Sequence, residues 1–117
     1  GDSLATVAKN ILSYDTEDEW YTKGKQTIKN GSPTSAHLIW LQCQNSPQLN
    51  LKEVFLFELN LAIQITRQGD FKEGVRALII DKDNTPEWKF NSIENVSQDW
   101  IKEHIKLAWK SNPLEDI

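Results

Sequence analysis

The chain has 117 residues, of which 38% are hydrophobic, and a formal net charge of −4. That length suits one domain and is too short for two, so residues 1–117 read as a single unit. The acidic balance argues against a protein that grips nucleic acid, which needs a basic face. It leaves room for an anionic small ligand held by a few local Lys or Arg side chains.

Cys43 is the only cysteine, so no disulfide can close within the chain. That suits a reducing compartment. The longest apolar-rich run, Val54 to Ile65, is interrupted by Glu58, Asn60 and Gln64. It falls short of the roughly 20 residues that span a bilayer, and no membrane partner is expected. The opening Gly1-Asp2-Ser3-Leu4 carries no methionine and no targeting pattern. It reads as an internal boundary or a cloning scar.

Turn signals divide the chain into about six helical pieces, and no period-2 strand stands out, which predicts an all-α fold. Asp2 or Ser3 caps a first helix with the stripe Leu4, Val7, Ala8, Ile11 and Leu12. Thr16, followed by Glu17, Asp18 and Glu19, marks the second start. That helix runs to about Asn30, where Gly31 stops it. Ser32-Pro33 opens the third, with serine at the cap and proline at the first helical position. It ends at Asn45-Ser46-Pro47.

Asn50 and Glu53 form a capping-box pair for a long fourth helix. Its residues Val54 to Ile65 are apolar almost all round, which predicts burial on several sides. Gly69 stops it. Asp70 and Glu73 frame a fifth start, followed by Val75, Ala77, Leu78 and Ile79. A charged loop with Pro86 follows. Ser97 caps a last helix with the stripe Trp100, Ile101, His104, Ile105, Ala108 and Trp109, ending before Pro113.

Few residues carry an obvious chemistry. His37 and His104 have no second His or Cys at ligand spacing, so no metal site is expected. His104 reads as a packed or interfacial histidine, and Cys43 as a buried inert thiol. Asp81-Lys82-Asp83-Asn84 starts like a calcium loop. Pro86 then stands where the turn glycine belongs, and Ser92 where the bidentate glutamate belongs. Glu58, an acid in an apolar run, is a candidate acid or base. The favoured reading is a structural acid paired with a Lys or Arg of a neighbouring helix. The five tryptophans read as core or interface anchors.

One segment goes beyond composition. Gly69 to Asp83, with Pro86 and Trp88, resembles the C-terminal signature of 3-hydroxyisobutyryl-CoA hydrolases, D-F-x-E-G-V-R-A-x-x-I-D-K-D-x-x-P-x-W. Ser32-Pro33-Thr34-Ser35 is similar to a helix start of the same subfamily. Glu58-Leu59-Asn60-Leu61 falls on its E-[YF]-R-L element, with Asn60 in place of the usual arginine. The resemblance covers nearly the whole chain and places it in the crotonase superfamily.

That resemblance implies the C-terminal helical domain of a metal-free enzyme of valine catabolism acting on acyl-CoA thioesters. It implies no cofactor, since CoA is part of the substrate. The partners it implies are the thioester and a crotonase core lying before this region, with a homo-oligomer allowed. That core carries the oxyanion-hole loops and catalytic carboxylates of the family, so no catalytic residue is expected here. The helices would cover the acyl pocket and support CoA binding or subunit packing. Lys82 and Arg76 are the candidate CoA contacts, because a mobile ammonium suits phosphate oxygens. Localisation would be cytoplasmic in a bacterium and mitochondrial in a eukaryote. The rival reading is a non-catalytic helical interaction module of crotonase ancestry.

Overall fold

Capping chemistry sets most of the helix starts. The computed structural model describes residues 3–116, which form six α-helices and no strand. In α1, Leu4–Ser13, the Ser3 side chain accepts from the Thr6 N–H. Asp2, the other candidate cap, lies outside the described residues. In α3, Pro33–Asn45, Ser32 is the cap and Pro33 takes the first position. In α4, Leu51–Gln68, the capping box of Asn50 and Glu53 is complete, and Gly69 closes the helix. In α6, Gln98–Ile105, Ser97 accepts from the Trp100 N–H.

Two starts differ from the sequence reading. The cap of α2, Glu19–Asn30, is Asp18 and not Thr16. The Asp18 carboxylate accepts from the Tyr21 N–H at 3.0 Å, while the Thr16 hydroxyl accepts from the Asp18 N–H at 3.1 Å. Aspartate ranks above threonine as a cap, and the threonine stabilises the turn before it. In α5, Phe71–Val75, Asp70 makes no capping bond. Its carboxylate turns away to residues outside the helix.

The core joins Leu38 of α3, Leu61 of α4, Val96 just before α6 and Ile101 within it. Phe57, Ile65, Phe90 and Trp100 pack around them. This core is small for the chain. The radius of gyration is 16.0 Å, against about 13 Å for a compact domain of this length. The accessible surface is 8515 Å², against about 6500 Å² expected for a folded monomer of this mass.

The fourth helix shows why. Sequence reading expected burial on several sides, but α4 buries one. Its buried residues are Leu61 and two of the three polar interruptions, Asn60 and Gln64. Leu51 and Phe55 stand largely exposed on another side. Buried amides need partners, and these find them in the backbone after α6. Asn60 donates to the Ile105 carbonyl and accepts from the Ala108 N–H, at 3.4 and 2.9 Å. Gln64 donates to the Lys106 carbonyl at 2.8 Å. This clamp also ends α6 at Ile105, earlier than the apolar stripe predicted. The Ala108 N–H engages Asn60 and so cannot continue the helical ladder.

His104 is wholly enclosed, as its place on the stripe predicted. Its Nδ1–H donates to the Trp100 carbonyl at 2.8 Å, and Nε2 has no partner among the described residues. Cys43 is exposed, against the expectation of a buried thiol. It lies four residues after Ile39, on the exposed face of α3. Glu58 is exposed and accepts from the Gln42 amide at 2.6 Å, so its partner is an amide and not the expected cation.

Candidate functional site

The signature residues fold onto one another. Glu73 and Arg76 are three residues apart at the end of α5, close enough to meet on a helix face. The Arg76 Nε–H and one Nη2–H donate to the two Glu73 oxygens at 2.6 and 2.7 Å. This is the two-pronged geometry that a planar guanidinium favours. The Nη1 group donates to Asp81 at 2.8 Å and to Asp83 at 2.7 Å. The second Nη2–H reaches the Thr85 carbonyl at 3.4 Å. All five donors of Arg76 are engaged.

A local change of helix makes this ring possible. After Val75 the backbone widens into a π turn, Arg76–Ile80, closed by the Asp81 N–H on the Arg76 carbonyl at 2.7 Å. Such turns add one residue per turn and are frequent at functional sites. Ala77 is fully buried on the inner side, and Leu78, Ile79 and Ile80 are 57%, 65% and 69% exposed. The chain then reverses through Lys82 and Asn84, with φ of 54° and 56°. Asparagine tolerates this left-handed region, whereas lysine adopts it rarely.

The rest of the signature ties this knob to the fold. Asp70 accepts from the Ser32 hydroxyl at 2.5 Å and from the Lys89 N–H at 3.0 Å. Gly74 admits the Trp88 ring, which a Cβ there would meet at 3.4 Å. Trp88 donates to the Asn30 carbonyl at 2.9 Å. Buried Thr34 accepts from the Trp100 indole N–H at 3.1 Å. The Ser32–Thr34 segment and the Asp70–Trp88 segment, distant in sequence, are thus one structure. Beside it lies a cleft of about 300 Å³ whose walls include Ser35, Asp70, Gly74, Leu78, Ile79 and Trp88.

The electrostatics follow from the ring. Arg76 holds the Glu73 carboxyl down at about 2, helped by the Glu87 N–H that bonds it. Arg76 and then the Thr85 N–H hold Asp83 at about 2. The three carboxylates raise Arg76 above its ordinary range. Both acids therefore stay ionised and suit no proton transfer near neutrality. Since their folded values are depressed, the ring contributes fully above the ordinary values of 4.5 and 3.8 and loses its contribution as pH falls toward about 2. A carbon-detected NMR titration should find both side chains still ionised near pH 3. Midpoints in the ordinary carboxylate range would refute the ring.

The structure places the two candidate contacts differently. Arg76 is the hub of the ring. Lys82 is exposed at its rim and enters none of the ion pairs among the described residues. Asp81 and Asp83, read in sequence as the start of an abandoned calcium loop, are the carboxylates of Arg76. Sequence reading missed Glu73 and Asp70 as partners by treating them as caps. The Glu-x-x-Arg spacing was the available signal for Glu73, whereas nothing local links Asp70 to Ser32. The His37 Nε2–H donates to the Ile93 carbonyl at 2.8 Å. No group of three His, Cys, Asp or Glu residues that could hold a metal occurs among the described residues. No helix there is long and apolar enough to cross a membrane.

A family model described as enoyl-CoA hydratase/isomerase matches residues 1–105. The 3-hydroxyisobutyryl-CoA hydrolase of Danio rerio is 38% identical over 79 residues, covering 68% of this chain and 21% of the relative. That of Gallus gallus is 39% identical over 85 residues, with 73% and 22% covered. That of Homo sapiens is 36% identical over 87 residues, with 74% and 22% covered. The chain therefore spans about a fifth of the length of these curated relatives. An enoyl-CoA hydratase from Rhodobacter sphaeroides superposes with a TM-score of 0.81 at 24% identity, over 92% of this chain and 32% of that one, which shows a shared fold. On the family match and these relatives, the chain belongs to the enoyl-CoA hydratase/isomerase family, within the crotonase superfamily.

Proposed function

We propose that the chain is the C-terminal helical domain of a 3-hydroxyisobutyryl-CoA hydrolase, or of a close hydratase/isomerase relative acting on acyl-CoA thioesters. The observation that carries this reading is the identity of 36% to 39% to relatives of that name. In it the helices cover an acyl pocket built by the rest of the enzyme and support CoA binding. The large exposed apolar area, with Leu51, Phe55, Leu78, Ile79 and Ile80 largely uncovered, supports a covering role. Such area on a stable protein marks a surface that meets a partner. The partner in this reading is the catalytic core of the same family, with subunit packing as a further use. The relatives are named mitochondrial, which supports that compartment for a eukaryotic source. A bacterial source implies the cytoplasm. The reaction in this reading needs no cofactor beyond the CoA of the substrate.

The chain alone should turn over no thioester. The acids whose ionisation the structure shifts are salt partners of Arg76, and His37, which shares a cleft with Glu94, has its Nε2–H committed to the Ile93 carbonyl. A thiol-release assay of the purified chain with 3-hydroxyisobutyryl-CoA should match its heat-killed control, and turnover above that control would refute this.

Lys82 is the proposed phosphate contact, since its ammonium stands exposed and outside the ring. In the complete enzyme, Lys82→Ala should raise KM for the CoA thioester several-fold and leave kcat nearly unchanged, as loss of uniform binding does. A truncated thioester lacking the 3′-phospho-ADP end should be unaffected. Equal loss on both substrates, or no loss on either, removes Lys82 from the CoA site. The exposed apolar area also favours a second reading, a non-catalytic helical module. An open reading frame with an upstream core and its carboxylates intact decides for the enzyme.

A further inference from the structure

Arg76 stands next to an exposed lysine, yet it has no donor left for a ligand. Its five N–H groups meet Glu73, Asp81, Asp83 and the Thr85 carbonyl. Two of these partners, Asp81 and Asp83, are the immediate neighbours of Lys82, and both bond the same nitrogen, Nη1. For residues on either side of Lys82 to converge on one atom, the backbone between them must bend. It does so at Lys82 itself, with φ of 54°. The bend is closed by the Asn84 N–H on the Ala77 carbonyl at 3.0 Å and the Thr85 N–H on Asp83 at 2.9 Å. Without Arg76, two carboxylates flanking an ammonium would be its nearest counter-ions. With Arg76, both are paired with its guanidinium.

We propose that Arg76 is a positioning residue, which withdraws Asp81 and Asp83 from Lys82 and holds the left-handed turn that presents the ammonium to an anionic phosphate ligand. This rests on the reading of Lys82 as a phosphate contact, and it gives Arg76 a different task from a second direct contact. The chemistry requires arginine. Lysine at 76 would keep the charge but supply three donors from a single point, and could not span Glu73 and both aspartates. The ring lies at the surface, outside the Leu38–Leu61–Val96–Ile101 core, so its loss should leave the fold standing.

The test uses the chain itself with adenosine 3′,5′-bisphosphate as the probe, followed by NMR titration, together with amide hydrogen exchange at Asn84. Lys82→Ala should weaken probe binding about threefold, the scale of a solvent-screened contact. Arg76→Gln and Arg76→Lys should weaken it to the same extent, and Arg76→Gln combined with Lys82→Ala should be no weaker than Lys82→Ala. Asn84 protection should fall in both Arg76 variants and persist in Lys82→Ala. If Lys82→Ala weakens binding while Arg76→Lys binds like the parent, charge alone suffices and the positioning role is overturned. If the Arg76 and Lys82 effects add, Arg76 touches the ligand directly, which also overturns it. If Lys82→Ala binds like the parent, the phosphate reading of Lys82 fails and the positioning role fails with it; the exchange data then still report whether Arg76 orders the turn.

Discussion

Gly69→Ala is expected to destabilise the chain by about 1–3 kcal/mol, the usual cost of forcing atoms into a packed site. A Cβ at this position would meet Ile65 Cγ1 at 2.7 Å, the Ile65 carbonyl oxygen at 2.9 Å and His104 Nε2 at 3.0 Å. None of the three can yield easily. The carbonyl belongs to the last turn of α4, where it accepts from the Gly69 N–H at 3.0 Å. His104 is held between its own backbone bond and an edge contact with Trp100, with ring centroids 4.7 Å apart. The backbone angle at Gly69 is ordinary, with φ of −90°, so the cost is steric. Gly24→Ala should act in the opposite direction. Nothing lies within 4 Å of a Cβ there, and alanine inside a helix gains about 0.5–1 kcal/mol over glycine. Thermal unfolding should lower the midpoint for the first variant and raise it for the second, by roughly 4 °C per kcal/mol at this size. A neutral Gly69→Ala would mean that the α4–α6 junction is looser than described.

Asn60→Leu should cost a similar amount through a different cause. The side chain would retain its volume but leave the Ala108 N–H and the Ile105 carbonyl without partners. Each buried polar group left unpaired costs about 1–3 kcal/mol, and less where water can reach it. Since the Ile105 bond is long and its residue part-exposed, the Ala108 N–H carries most of the effect. Urea unfolding measures the total, and hydrogen exchange at Ala108 localises it. Protection at Ala108 unchanged from the parent would show that the clamp does not hold this segment.

The contrast between these sites and the sequence is instructive. Ser3, Ser32, Asn50 and Ser97 were legible as caps because each bond they make lies within one turn. The burial of α4 was not legible. Its apolar run suggested an element enclosed on all sides, and two of the three residues that interrupt the run, Asn60 and Gln64, proved to be buried. Whether an amide is an interruption or an anchor depends on backbone groups more than forty residues away. The end of α6 was misread for the same reason, since Asn60 diverts the Ala108 N–H from the ladder.

The candidate site was legible as a string and not as a geometry. Resemblance singled out the stretch from Gly69 to Trp88. Its residues could be taken as a row of separate signals, with Asp70 and Glu73 as caps and Arg76 beside Lys82 as a second cation. In the structure Glu73, Arg76, Asp81 and Asp83 satisfy one another, and one lysine remains outside. A helix of ordinary pitch would not suggest that arrangement, because the π turn has no reliable mark in sequence.

That turn constrains length more tightly than composition. An α-helix rotates about 100° per residue, so deleting any one of Leu78, Ile79 or Ile80 would rewind the turn and swing Asp81 and Asp83 around the axis away from Arg76. The three side chains point outward and can be exchanged for others with little effect on the ring. Among natural variants of this chain, insertions and deletions between Arg76 and Asp83 should therefore be scarcer than substitutions at Leu78, Ile79 and Ile80.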